Sequence, residues 1–358
     1  MAKCYICRQI GLGEVNCLLY LIVYQVRSTS GRLTGSRILV TGGAGFIGSN
    51  LIASLLEADN EVVCLDNFST GSHRNIEHFK GNRQFTLLEG DIRDSSVCRR
   101  SVEGVDVVFH QAALGSVPRS LKDPVTSTAV NTGGTVNMLF AASEAGVRRF
   151  VYAASSSTYG DHEGLPKVES QIGNPLSPYA VTKYTAELFA GVFALNYGLE
   201  VIGLRYFNVF GPWQDPEGAY AAVIPKFIMQ LIKGESPLIN GDGTISRDFT
   251  YVDNVVDANH LAATVTDEEA INQVYNIACG ESTSLNRMYT IIRESLARFD
   301  NKIDSIEPKY GPERPGDIRH SLASIDKASR LLGYSPAVHM KEGLTATAEW
   351  FYNKRIYR

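Results

Sequence analysis

The residues that most constrain this chain are Thr41 to Gly48, TGGAGFIG, because they stand where an apolar run gives way to an amphipathic one. Arg37 to Thr41 reads as a buried strand and Gly45 to Ala58 as a helix, so glycines 42, 45 and 48 fall at a strand-to-helix turn. There Gly42 permits the tight turn, Gly45 lets backbone approach a pyrophosphate and Gly48 allows close helix packing, while the helix N-terminus adds partial positive charge. The next apolar run, Glu61 to Asp66, ends in a carboxylate placed to accept both hydroxyls of an adenosine ribose. Its charge would repel a 2′-phosphate, so NAD is expected rather than NADP. Turn-shaping glycines and a loop-capping aspartate are the plainer alternative; the strand and helix around them weigh against it.

The alternation continues. Strands are expected at Gln84 to Glu89, Val105 to His110, Arg149 to Ala154 and Glu200 to Tyr206, with helices at Ser95 to Val102, Pro124 to Ala145 and Ser177 to Tyr197. Short apolar runs spaced by amphipathic stretches describe an α/β fold, a doubly wound parallel sheet with crossover helices. After Tyr206 the pattern loosens, punctuated by Gly211-Pro212, Gly241 to Gly243 and Gly311 to Gly316. The expected division is an arm over 1–35, a dinucleotide-binding domain over 36–208, and a smaller substrate-binding domain over 209–358 that partly returns to the first. A chain of 358 residues suits that plan.

Charge narrows the partner. The 34 basic and 38 acidic residues leave −4 with no long block of either sign, which argues against nucleic acid or an anionic membrane and for a small molecule. Six scattered cysteines read as reduced cytoplasmic thiols; Cys4 and Cys7 form a CxxC without a second CxxC or His pair, so no metal is expected. The apolar run Leu18 to Val26 is about half a membrane span. Glu14 and Asn16 stand before it and no clear cleavage site follows, which does not read as a signal peptide. It is expected to be an accessory arm packed on the core, or the product of a start codon assigned too early.

Tyr179 and Lys183 form YxxxK on one face of a predicted helix. An ammonium beside a phenol lowers the phenol's pKa from its free value of about 10, which makes a base for work near neutral pH. Alone, this spacing is common. Here the fifth strand also delivers Ser155, Ser156 and Ser157 to the carboxyl edge of the sheet, where hydroxyls can hydrogen-bond an oxygen being oxidised. At least one of the three is as readily a loop cap. Asp91 and Ile92, after the third strand, are placed to meet an adenine ring, and His110 to Ala113 end the fourth, with His110 itself structural.

Taken in order, TGGAGFIG, DNFSTG, GDIRD, HQAA, SSSTYG, YAVTK and RYFNVFGP resemble the extended short-chain dehydrogenase/reductase superfamily, with its Rossmann fold, over roughly residues 37 to 350. Within it the chain is most similar to UDP-hexose 4-epimerases, on the UDP-N-acetylglucosamine 4-epimerase branch. The resemblance implies Ser155 as catalytic hydroxyl, Tyr179 as base and Lys183 as its activator. On the NAD side it adds Phe46 and Ile47, then Asn67, Ser69, Thr70 and Gly71, then Gln111, Ala112 and Ala113, and Tyr206. Ser116 and Arg119 would line the sugar side with Ser156 and Ser157, Asn208 would meet the diphosphate, and Ala222, Val223 and Lys226 would approach the uridine. Asn240 joins this substrate set. Arg247 and Arg314 resemble a diphosphate clamp suited to planar guanidinium groups, and Asp317 would hold the uridine ribose; surface salt bridges are the plainer reading of both arginines. Four residues after Asp317, where epimerases restricted to UDP-glucose and UDP-galactose carry tyrosine, this chain has Ser321, leaving room for a 2-acetamido group.

The implied reaction is removal of the C4 hydroxyl proton by tyrosinate Tyr179 with transfer of the C4 hydride to tightly held NAD, rotation of a 4-keto sugar, and hydride return to the opposite face. A homodimer is implied on the same ground. Dehydratases and decarboxylases that share the first step carry an acid beside the serine or threonine, where this chain has Ser156 and Ser157. A UDP-glucuronate 4-epimerase stays open, since a small Ser321 does not forbid a C6 carboxylate. A non-catalytic NAD-binding regulator would have no use for Ser155, Tyr179 and Lys183 together.

Overall fold

Aliphatic residues whose side chains are buried on both faces of a strand build the centre of the molecule, a computed structural model that describes residues 31–218, 221–313 and 320–356. Strands β1 (Arg37–Thr41), β2 (Glu61–Asp66), β3 (Phe85–Glu89), β4 (Val107–His110), β5 (Arg149–Ser155), β6 (Glu200–Tyr206) and β7 (Gln273–Ile277) form one parallel sheet in the order β7-β6-β5-β4-β1-β2-β3. The order reverses between β1 and β4, and a crevice opens there beyond the carboxyl ends.

Helices cover both faces. Ile38 and Val40 point into a core shared with Leu51, Ile52 and Leu55 of α1 (Phe46–Glu57), while Leu39 and Val108 pack on the other side with Cys98 of α2 (Ser95–Ser101). After α3 (Val117–Lys122), that second side is completed by Met138 and Leu139 of α5 (Thr135–Glu144) and Phe193 of α6 (Pro178–Tyr197). The first side gains Val255, Ala258 and Ala262 of α8 (Val252–Thr264). A third core joins Phe227 and Ile228 of α7 (Val223–Ile232), Ile292 of α9 (Leu285–Ala297) and Leu344 of α10 (Met340–Ile356), with Phe210 and Tyr251. Among the described residues no helix is long and apolar enough to cross a membrane.

Two departures from the sequence pattern have physical causes. The single helix expected from Pro124 to Ala145 is broken: α4 (Pro124–Thr128) ends early, residues Ala129–Gly134 wind as a π-helix, and α5 resumes at Thr135. The widened turn turns Asn131 inward, where its Oδ1 accepts from Leu114 N–H at 2.7 Å and its Nδ2 donates to Leu114 O at 3.2 Å and Thr182 Oγ1 at 3.1 Å. The seventh strand, β7, was hidden by its polar residues. Buried Asn276 accepts from the Tyr159 hydroxyl at 2.6 Å and donates to Lys167 O and Ser324 O, so a polar side chain sits in this strand fully bonded.

Immediately before β1 the chain is docked by His260 of α8, whose Nδ1 accepts from Leu33 N–H at 3.2 Å while its Nε2 meets Ser54 Oγ at 3.0 Å. The CxxC at Cys4 and Cys7 and the run Leu18 to Val26 lie outside the described residues.

Arg149 closes the C-terminal end of α8. Its guanidinium donates to Ala262 O at 2.7 Å, Val265 O at 3.0 Å and Glu200 Oε2 at 2.9 Å, placing a buried cation at the helix C-terminus. Arg149→Leu strands those acceptors, and we expect it to cost about 2–4 kcal/mol of stability, read as a lowered denaturant midpoint.

Candidate active site

The site is assembled on the carboxyl ends of the strands. At the end of β1, Gly42 takes φ +67, and a Cβ there would lie 2.7 Å from the backbone of Ala112. A Cβ on Gly48 would lie 2.2 Å from the Gly42 carbonyl oxygen. Backbone thus packs on backbone, and α1 starts at Gly45 with no side-chain cap and no acidic residue in its first turn. Its first N–H groups remain available for an anion at the cleft wall, so the glycines and the helix end fit a pyrophosphate.

Asp66, at the end of β2, is buried and accepts from Ala44 N–H at 2.9 Å and Phe68 N–H at 2.8 Å. Burial raises its pKa and these N–H groups oppose the rise. Next to it, Asn67 donates to Asp91 at 2.8 Å, and Arg93 holds the Asp91 carboxyl down to about 2.

A cavity of about 520 Å³ joins these groups to the ends of β4, β5 and β6. Gly42, Gly45, Phe46, Ile47 and Gly48 line it, as do Asp66, Asn67, Ser69, Thr70, Asp91 and Ile92. Gln111, Ala112, Ala113 and Tyr206 continue the wall, with the Tyr206 hydroxyl donating to Gln111 Oε1 at 3.2 Å. Gly71 stands behind this wall, where a Cβ would approach Asp66 Oδ1 to 3.0 Å.

The same cavity is lined by Ser155, Ser156, Tyr179 and Lys183. Ser177 caps α6 by accepting from Ala180 N–H at 3.1 Å, Pro178 fills its first turn, and Ser120 of α3 accepts from Tyr179 N–H at 3.0 Å, fixing where the helix begins. Burial raises the Tyr179 phenol; a hydrogen bond from Ser155 lowers it. Lys183 donates to Ala153 O at 2.8 Å and is brought down to about 8 by burial, against the opposing charge of Glu187. Ser155, not Lys183, is thus the side chain that lowers the phenol, while the lysine is tied to β5. Ser157 does not line the cavity: its N–H and hydroxyl both donate to Ser155 Oγ, at 3.2 and 2.9 Å. His110 is structural, bonded at both ring nitrogens to Thr41 and Thr135 and lowered to about 3 by burial, so it stays neutral.

The substrate-side set is less gathered. Asn208 lines the cavity and donates to Asp248 O at 2.8 Å. Ser116, with φ +100, caps α3 by accepting from Arg119 N–H, just beyond the lining residues Leu114 and Gly115. Ala222 precedes α7, whose first turn carries Val223 and Lys226, and Asn240 ends a short strand, Leu238–Asn240. Arg247 donates to Ser246 O at 2.9 Å, and Ser321 N–H reaches the same carbonyl at 3.2 Å, which brings these two residues together. Neither lines the cavity, and Arg314 and Asp317 lie outside the described residues. The structure adds Asn131, which holds the loop after β4; only the π turn brings it there, and no local sequence pattern announces it. Among the described residues no group of three or more His, Cys, Asp or Glu is placed to hold a metal ion.

Residues 38–278 match the model of the NAD dependent epimerase/dehydratase family. A putative UDP-glucose 4-epimerase of Methanocaldococcus jannaschii is 37% identical over 88% of this chain and 98% of its own length. Among solved structures, a UDP-N-acetylglucosamine 4-epimerase from Methanobrevibacter ruminantium, in complex with UDP-N-acetylmuramic acid, is 38% identical with TM-score 0.84, covering 90% of this chain and 100% of that one. A UDP-glucuronic acid 4-epimerase from Bacillus cereus, in complex with UDP-glucuronic acid and NAD, is 33% identical with TM-score 0.79, covering 90% and 100%.

The glycine contacts are testable. Gly48→Ala forces a methyl group against the Gly42 carbonyl, and we expect the purified variant to lose most of its bound NAD, read from the 260/280 nm absorbance ratio. Gly191→Ala, in α6 with open space around its Cβ, should retain it.

Proposed function

Because the chain belongs to the NAD dependent epimerase/dehydratase family, as an NAD-dependent epimerase of the UDP-sugar 4-epimerase kind, we propose that it interconverts UDP-GlcNAc and UDP-GalNAc. The observation that carries this reading is one cavity lined at once by the glycine turn, Asp66, Ser155, Tyr179 and Lys183. NAD, which Gly42, Gly45, Gly48 and Asp66 would hold, would supply a reversible hydride acceptor for C4. The chain's own residues do the rest. Tyr179 Oη receives the C4 hydroxyl proton and later gives it back, Ser155 hydrogen-bonds the same oxygen, and Lys183 supplies positive charge beside the site. Asn208, Arg247 and Arg314 hold the diphosphate, Ala222, Val223, Lys226, Asn240 and Asp317 the nucleoside side, and Ser116, Arg119 and Ser156 the sugar. A fixed nucleotide lets the sugar turn without leaving.

Substrate choice rests on Ser321, whose small side chain supports room for an acetamido group. Plain UDP-glucose and UDP-galactose would also fit. The similarity to a UDP-glucuronic acid 4-epimerase favours that as the second reading. Buried, unpaired thiols at Cys64, Cys98 and Cys279 support a cytoplasmic enzyme.

The face of α6 opposite the site supports a homodimer. Val181, Leu188, Val192 and Leu195 recur at helical spacing and are 50%, 54%, 50% and 84% exposed. Leu188→Glu with Leu195→Glu should convert a dimer to monomers in analytical ultracentrifugation; an unchanged dimer would place the interface elsewhere.

The deciding experiment incubates the protein with UDP-GlcNAc and no added cofactor, following anomeric protons by NMR. UDP-GalNAc is the expected product; turnover of UDP-glucuronate or UDP-glucose alone would overturn the assignment to Ser321. Tyr179→Phe should lower kcat by about 10²–10⁴-fold with NAD still bound, and undiminished turnover would remove Tyr179 from the mechanism.

A further inference from the structure

Tyr179 and Lys183 are followed on the same face of α6, one turn further on, by Glu187. Its carboxylate receives a two-pronged hydrogen bond from Arg205 of β6, Nε to Oε1 at 2.9 Å and Nη2 to Oε2 at 2.7 Å. Both side chains are almost wholly buried, 6% and 4% exposed. Arg205 sits opposite Ala154 in the sheet register, beside the pair Ser155 and Tyr206 that lines the cavity. Its third contact, from Nη1 to Glu169 O at 3.1 Å, and the stacking of its guanidinium 4.9 Å from the Tyr159 ring lock it in place. Two charges this deep are costly unless each has a task or a partner.

We propose that Glu187 and Arg205 form a positioning pair for the reaction, in which Glu187 is the counter-charge that keeps Lys183 an ammonium and Arg205 limits how much of that charge Lys183 receives. The inference rests on the role given to Lys183 above. Glu187 is the one charge that opposes the burial of Lys183. The pair also reaches β5, since Glu187 raises and Arg205 lowers the Tyr152 phenol, whose chief perturbation is burial.

The surroundings leave Glu187 little competition. From β4 comes His110, held neutral; from α6, Tyr179; from β5 and β6, the phenols of Tyr152 and Tyr206, both raised by burial. The π segment and α5 bring no charged residue before Glu144, and α3 brings Arg119 and Lys122, which repel an ammonium. Asp66 and Asp91 line the cavity but are bonded to Ala44, Phe68, Asn67 and Arg93.

The test reads Lys183 directly. In NAD-loaded protein carrying 13C-labelled lysine, with the Lys183 signal identified by its loss in Lys183→Arg, the ε-carbon shift is followed against pH without substrate. The wild-type midpoint is expected at about 8. Glu187→Gln should move it down, and Arg205→Gln, which frees the carboxylate to face Lys183, should move it up, each on the order of one pH unit. Glu187→Asp should keep the wild-type value. If a single variant fails to fold because an unpaired charge is left buried, the doubly neutral E187Q/R205Q should fold and titrate low like E187Q. The basic limb of the kcat profile should follow the same shifts. Shifts of the same sign, or none, overturn the proposal, as do shifts that the kcat limb ignores. Because the titration needs no sugar, it still decides the role of the pair if no UDP-sugar is turned over, an outcome that would sink only the functional reading.

Discussion

Backbone meets backbone at the turn after β1, and the cavity takes its shape from that contact. Gly42 lies against Ala112 and Gly48 against the Gly42 carbonyl, with no room for a Cβ at either place. The first contact sets the separation of β1 and β4, the two strands between which the sheet order reverses. The second sets the angle at which α1 leaves the sheet and so where its open N-terminus points. Every other group at the site is added to a crevice already defined without side chains.

Helix α6 is the second organiser, since one element serves two surfaces. Its inner face carries Tyr179, Lys183 and Glu187 at successive turns, while its outer face carries Val181, Leu188, Val192 and Leu195. Ser177, Pro178 and Ser120 fix its start, Asn131 grips Thr182, and the Glu187–Arg205 pair fixes it to β6. A helix held at so many points resists sliding, and a one-residue slip would swing Tyr179 by about 100° away from Ser155.

Much of this was legible in the sequence because it is written in short range. The glycine turn, Asp66 after β2, the serines after β5 and the four-residue interval from Tyr179 to Lys183 each lie within one element and its cap, so local spacing suffices to place them at the same sheet edge. What stayed hidden depends on contacts across the chain. Asn131 requires a π turn that only its bonds to Leu114 and Thr182 explain. Strand β7 requires Asn276 to be satisfied by three distant segments, and the tie of Lys183 to Ala153 O instead of to the phenol emerges only when α6 is laid on β5. The substrate-side residues are farther apart in sequence, and the cavity gathers Asn208 but not Arg247 or Ser321.

The two hydrogen bonds that Ser157 sends to Ser155 give the deep end of the cavity a direction. The Ser155 oxygen accepts both the N–H and the hydroxyl of Ser157, which occupies its two lone pairs. What it has left to offer is its own proton. Ser155 is thus wired as a one-way donor. A hydroxyl held in this way can steady a negative oxygen, but it cannot take up a proton while both bonds are kept.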